Sequence, residues 1–263
     1  MKHFGSSKKV EGSSTAFVNA CSLEVGCSFE QHLKHLDTWL ETLSSTGLFM
    51  GDVTILRRVS DENWGNGLFK QFELFVVYGG LELGDASYSL LPTREQGIVS
   101  VSDIGFGLER ITWAVSKFPS YFDLLRPITF GLSLGRHAHD ILRTVALLTL
   151  CGVEASNEGV GFQLRKMCRS ALNEHIGRFE AHELLLHCYH FWSGFLKEKR
   201  SGMQAVDIFQ REMDRLVQAE VAAALKVSKA DRETAETYAT RLVYTLGVPI
   251  GDIQKVLRRD DHD

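Results

Sequence analysis

Asp103-Ile-Gly-Phe-Gly-Leu-Glu-Arg110 is the stretch whose reading decides the fold. Ile98 to Asp103 alternates as a short strand. Gly105-Phe106-Gly107 follows, and Leu108 to Lys117 repeats apolar residues at helical spacing. On residue chemistry alone Asp103 reads as a helix cap, Gly-x-Gly as a tight turn, and Arg110 as an exposed helix residue.

Upstream, Phe72 to Tyr78 is dense in β-formers and meets Gly79-Gly80, after which Leu81 to Leu91 is β-rich again. Two such runs around a Gly-Gly pair predict an antiparallel hairpin. Asp52 to Val59 and Thr15 to Val25 predict two more strands. Leu33, Leu36, Leu40 and Leu43 mark a helix over Phe29 to Leu43. Residues 1–14, rich in Ser, Gly and Lys, predict a disordered tail.

Downstream of about residue 126 the period changes to three and four. Ile141, Leu142, Val145, Leu148 and Thr149 mark one helix face. Leu164, Met167, Cys168, Ala171 and Leu172 mark a second. Further helices are expected over 179–197, 202–226 and 229–246. The fold class is therefore α+β, with an antiparallel unit over 15–125 and an all-helical domain over 126–263.

The 263 residues are 44% hydrophobic and 24% charged, which allows one large domain or two modest ones. A net charge of −4 excludes a bulk polyanion binder, so any nucleic-acid contact must use a local basic face. Five cysteines without CxxC spacing predict reduced thiols and a cytoplasmic location. The polar start and the lack of an apolar run of ~18 residues predict neither a signal peptide nor a membrane span. His182, His187, Cys188 and His190 cluster at the wrong spacing for zinc, so no metal is expected.

Four ordered segments resemble alanyl-tRNA synthetases of the archaeal branch. Asp103 to Arg110 resembles their motif 3, DTGxGLER. Gly80-Leu-Glu-Leu-Gly-Asp85 resembles GLELGN, and Phe72-Glu-Leu-Phe75 resembles FExF. Ala155-Ser-Asn-Glu-Gly-Val-Gly-Phe-Gln-Leu-Arg165 resembles PSNEGRGYVLRR, which opens the family's tRNA-recognition domain. The resemblance implies a class II antiparallel sheet followed by a helical tRNA-binding domain. It implies that Asp103 pairs with an ammonium group. Gly105 and Gly107 would let backbone approach the ligand. Arg110 would pack on adenine, and Glu73 would stand at the active-site end of its strand. Asn157 matches the asparagine that reads the acceptor stem. Arg143, Arg165, Lys166, Arg169 and Arg178 form the basic positions expected to meet phosphate, and Tyr244 stands where the family has an aspartate.

The departures from the family matter as much. Gly12 to Ala20 resembles a degraded motif 2 strand, RHxTxFEM, that keeps Phe17 as a substrate-binding position. Its arginine, histidine and glutamate positions read Gly12, Ser13-Ser14 and Val18. Nothing ahead of it matches motif 1. The family's LELGNxVF strand reads with Asp85 for Asn and Ser87 for Val, two positions that alternate onto one face. The resemblance then implies a chain that does not activate amino acids with ATP. The expected function is an aminoacyl-tRNA-dependent aminoacyltransferase of secondary (antibiotic) metabolism. It would move a small or aliphatic residue to an amine, sulfonamide or sulfamate. Asp103, Glu73 and Asp85 would be catalytic, Ser87 would bind substrate, and no cofactor is required. The alternatives are a non-catalytic tRNA-binding or regulatory paralogue, or alanine ligation completed by a partner chain.

Overall fold

Five β-rich runs form the strands β1 (Asn19–Val25), β2 (Val53–Trp64), β3 (Gly67–Tyr78), β4 (Leu81–Pro92) and β5 (Ile98–Gly107) of a computed structural model. They pair into one antiparallel sheet in the order β1-β5-β4-β3-β2. The structure describes residues 14–64, 67–93, 97–119, 121, 124, 135–174, 178–197, 199–225, 237 and 251. The chain divides into two compact units, Met1–Arg126 and Pro127–Asp263.

The hairpin of β3 and β4 turns at Gly79 (φ 56°) and Gly80 (φ 81°). Two successive left-handed residues match the twist of the flanking strands, and glycine adopts that conformation without steric cost. A bulge follows between Val76 and Val77, which face Gly84 and Glu82 respectively. Leu83 is the extra residue, and it is fully buried.

Helix α1 (Phe29–Ser45) begins with a capping box: Gln31 N donates to Ser28 Oγ, and Ser28 N donates to Gln31 Oε1 at 2.7 Å. Helix α2 (Leu108–Ser116) starts directly from β5 and ends at Lys117 in the left-handed conformation. Both helices cover one face of the sheet. Leu36 and Leu43 of α1 and Ala114 of α2 close on Val76, Leu83, Ala86, Ile104 and Phe106. Trp39 lies 5.2 Å from the Phe106 ring, and His32 shares a 2.8 Å hydrogen bond with Ser102. Leu33 of the predicted stripe is instead 37% exposed, and His32 takes the inward position beside it.

Two local expectations are corrected. The strand predicted from Thr15 begins at Asn19, and the strand predicted to end at Asp103 continues through Gly107. The Gly-x-Gly pair is therefore in a strand rather than a turn, and neither glycine has positive φ. The N-cap of α2 is Gly107, so Asp103 does not cap a helix.

The second unit is helical: α3 (Arg136–Leu150), α4 (Gly159–Asn173), α5 (Arg178–Ser193) and α6 (Gly202–Leu225). Helix α3 contacts the other three and is buried along most of its length. The α4 stripe Leu164, Met167, Cys168, Ala171 and Leu172 is buried as a set. Thr149 of α3 and Tyr189 of α5 share a 3.0 Å hydroxyl bond, and Trp192 Nε1 donates to Arg143 O at 2.9 Å. The predicted tail apart from Ser14, the helix predicted over 229–246 apart from residue 237, and Tyr244 lie outside the described residues. Among the described residues no helix is long and apolar enough to cross a membrane.

Candidate functional site

Cross-strand register brings the motif residues together. Arg58, Glu73, Ser87, Asp103 and Leu23 stand opposite one another on β2, β3, β4, β5 and β1. Leu56, Phe75, Asp85, Gly105 and Cys21 form the adjacent row. Neighbouring positions Val76, Ala86, Ile104 and Phe106 point into the helix-covered core. Side chains alternate along a strand, so both rows lie on the opposite, open face. The bulge adds Glu82, which is brought to the side of Asp85 rather than into the core.

Among the described residues the face thus carries five carboxylates, Glu62, Glu73, Glu82, Asp85 and Asp103, and two guanidinium groups. Arg58 Nε donates to Glu73 Oε2 at 2.5 Å and its guanidinium lies 5.3 Å over the Phe75 ring. Arg110 Nη1 donates to Glu82 O at 2.7 Å and stands 3.8 Å from Glu82 Oε1. Ser87 Oγ donates to Asp85 Oδ2 at 2.9 Å and accepts from Gln71 Nε2 at 3.2 Å.

Burial pushes the Asp85 carboxyl above the ordinary carboxylate range. The Ser87 hydrogen bond opposes this, and the nearby charges of Asp103 and Glu73 reinforce it. Burial also raises Glu82, against the pull of Arg110. Glu73 is only 6% exposed and is committed to Arg58, whereas Asp103 is exposed. Glu82 and Asp103 are both exposed, and Glu82 stands 3.8 Å from Arg110, so Asp103 is the one better placed to take a cation from a ligand. Beside it is one carboxylate adapted to accept a proton, Asp85.

The two glycines stand where a side chain would crowd the protein itself. A Cβ on Gly105 would lie 3.0 Å from Asn19 Nδ2, and one on Gly107 would lie 3.3 Å from Arg110 Cδ. Each makes room for a protein side chain. Phe17, 51% exposed, precedes Val18, whose N–H donates to Glu109 Oε2 at 3.0 Å and whose carbonyl accepts from Leu108 N at 2.9 Å. The buried Glu109 of the Leu-Glu-Arg tail is therefore a clamp that fixes the Phe17 segment beside β5.

In the helical unit the basic positions separate. Arg143 is buried, its guanidinium 4.5 Å over Phe191 and 4.3 Å over Trp192. That is a packing position, so the expectation that Arg143 meets phosphate does not fit the structure. Arg165 Nε donates to Glu212 Oε1 at 3.1 Å, and its Nη1 donates to Asn157 Oδ1. Glu212 is buried and also accepts from Arg215 Nε at 2.8 Å. Arg165 thus ties α4 to α6 and orients Asn157, rather than standing on a solvated face. Lys166 and Arg169 are exposed, and the Arg178 side chain lies outside the described residues.

Sequence reasoning missed Arg58, Glu82, Glu109 and Glu212. Arg58 and Glu212 act across register or between helices, and no local pattern marks them. Glu82 and Glu109 stand inside the motifs and were open to notice. Among the described residues no group of three or more His, Cys, Asp or Glu side chains is placed to hold a metal ion. The chain matches no protein-family model and no curated protein.

Proposed function

We propose that the chain is a tRNA-dependent aminoacyltransferase built on a sheet of the class II synthetase kind. The observation that carries this reading is the row Glu73–Ser87–Asp103 with Asp85 beside it. Residues from three segments that resemble the alanyl-tRNA synthetase pocket share one open face. The motif 2 positions that would carry arginine and histidine hold Gly12 and Ser13-Ser14. The charge that builds on an α-phosphate during activation would lack its clamp there.

The donor is then an aminoacyl-tRNA ester. Asp103 holds the α-ammonium of the aminoacyl group. The acceptor amine, sulfonamide or sulfamate nitrogen attacks the ester carbonyl. The new bond is carbonyl carbon to nitrogen, and the bond that breaks is carbonyl carbon to the ribose oxygen of the terminal adenosine. The nitrogen gives its proton to Asp85, which returns one to the departing hydroxyl. Glu73 is less suited to that exchange, because its carboxylate is bonded to Arg58. Rate comes mainly from proximity, since the ester is already activated. Lys166 and Arg169 supply phosphate contacts on the helical unit.

The test is transfer itself. Purified protein is incubated with a mixture of charged tRNAs and a panel of amine, sulfonamide and sulfamate acceptors, and products are read by mass spectrometry. Formation of an aminoacyl amide, lost in Asp103→Ala, supports the reading. Absence of binding to any aminoacyl-tRNA defeats it. A non-catalytic tRNA-binding role predicts that Asp103→Ala leaves tRNA binding and biological function intact. ATP–pyrophosphate exchange at a normal synthetase rate, alone or with a partner chain, would restore ligation as the activity.

A further inference from the structure

Strand β2 ends the sheet: one side pairs with β3, and no strand among the described residues pairs with the other. It is twelve residues long, and Ile55, Leu56 and Val59 are 46, 52 and 48% exposed. A long apolar edge recruits a further strand unless its charges repel one. Here the order of the charges decides the matter. The centre of β2 reads Arg57-Arg58, Val59-Ser60, Asp61-Glu62, two cations followed by two apolar or neutral residues and then two acids. Laid antiparallel against an inverted copy of itself, this strand sets each cationic end beside an acidic end. The same charges in a mixed order would oppose like with like.

We infer that β2 is a self-complementary edge and that its occupant is a second copy of this chain, joined strand to strand across a two-fold axis. An antiparallel pairing of identical strands puts one residue opposite its own copy. With Val59 at that centre, Arg57 stands opposite the second copy's Asp61, twice by symmetry, and Arg58 lies diagonal to its Glu62. Centring on Ser60 would instead set Arg58 directly on Glu62, but Arg58 is already bonded to Glu73 within its own sheet. The Val59 register leaves that bond intact and uses Arg57, which is exposed.

The faces agree as well. Ile55, Arg57, Val59 and Asp61 oppose Val76, Leu74, Phe72 and Lys70 of β3, so they lie on the helix side of the sheet. An axis normal to the sheet keeps helix side with helix side, so exposed Val59 gains apolar cover from its counterpart, while Ile55 stands opposite the second copy's Asn63. Both candidate sites then open on one face of a continuous, doubled sheet.

The full chain is examined by sedimentation velocity at tens of micromolar. The parent is expected to sediment as a dimer of the 29.5 kDa chain. Arg57→Asp and Asp61→Arg each reverse one charge, so each opposes like charges twice across the axis. Each is expected to weaken self-association by roughly a hundredfold and to run as a monomer, with unchanged far-ultraviolet circular dichroism. Mixed one to one, the two variants should dimerise again, because every introduced charge then meets its opposite. The milder Arg57→Gln should give an intermediate loss, which guards against a folding artefact. A monomeric parent, single variants that dimerise as tightly as the parent, or a mixture that stays monomeric would each overturn the inference.

Discussion

Arg58 Nε donates to Glu73 Oε2 at 2.5 Å across the β2–β3 pair, which joins an exposed cation to a buried carboxylate at the margin of the candidate site. Glu73 is therefore neutralised from one side, and the carboxylates left to act are those further along the face.

Removing only the arginine leaves the Glu73 charge buried without its partner. Arg58→Ala should lower the urea unfolding midpoint. Arg58→Ala combined with Glu73→Gln should recover most of the loss, because the uncompensated charge is gone. An Arg58→Ala midpoint equal to the parent's would show that the bond carries no stability, and a double variant no better than Arg58→Ala would show that the unpaired Glu73 charge is no liability.

Asp85 gives a pH dependence of known sign. Burial, reinforced by Asp103 and Glu73, holds its folded carboxyl above the ordinary value of 3.8. The folded state binds that proton more tightly than the unfolded chain. Asp85 therefore destabilises the fold increasingly as pH rises from 3.8 through the folded pKa. Asp85→Asn should melt higher than the parent at neutral pH, and the gap should close below pH 3.8. Melting curves that coincide at pH 7 would contradict this.

Asp103 is exposed, so Asp103→Asn should change stability by less than about 0.5 kcal/mol. Losing a charge-assisted contact with the substrate ammonium should cut transfer by roughly 10–100-fold. It also removes a charge that raises Asp85. The limb of the pH–rate profile set by Asp85 should consequently move to lower pH. A loss of rate with no movement of that limb would separate Asp103 from Asp85.

The arginines of the helical unit should divide by burial. Arg143→Ala strips a desolvated cation from Phe191 and Trp192 and should cost about 2 kcal/mol or more in unfolding free energy. Lys166→Ala and Arg169→Ala should leave stability alone and each reduce the salt dependence of tRNA binding by roughly one phosphate contact. Filter binding across a salt series reads the second effect, and an unchanged slope would remove these two residues from the interface.

Gly84 admits no side chain. A Cβ there would overlap Gly105 O and lie 2.6 Å from Phe106 Cδ1. Gly84→Ala should cost about 3 kcal/mol or leave the chain unfolded, read by the same urea titration. A midpoint within error of the parent would mean that β5 can move away.

The sequence carried the outline because local chemistry wrote it. Gly79-Gly80 dictates the hairpin, the alternation of Asp85 and Ser87 dictates their shared face, and the α4 stripe is buried as its spacing predicts. What stayed hidden depends on partners distant in sequence. Arg165 looks like one member of a basic face until Glu212, on another helix, draws it inward. Arg143 sits within an apolar helix, and only the placement of Phe191 and Trp192 shows that its charge is packed on rings. Nothing near Arg58 names Glu73 as its partner; that requires the β2–β3 register.

The bulge at Leu83 acts as a phase shift in the strand. With regular alternation behind Asp85, Leu83 would project onto the open face and Glu82 into the core. The extra residue returns Leu83 to the interior and Glu82 to the carboxylate group. Any alignment or graft that treats Leu81 to Asp85 as an unbroken zigzag will therefore mis-assign, by one position, which side chains a ligand meets. Pocket comparisons with other sheets must be counted outward from the bulge in both directions.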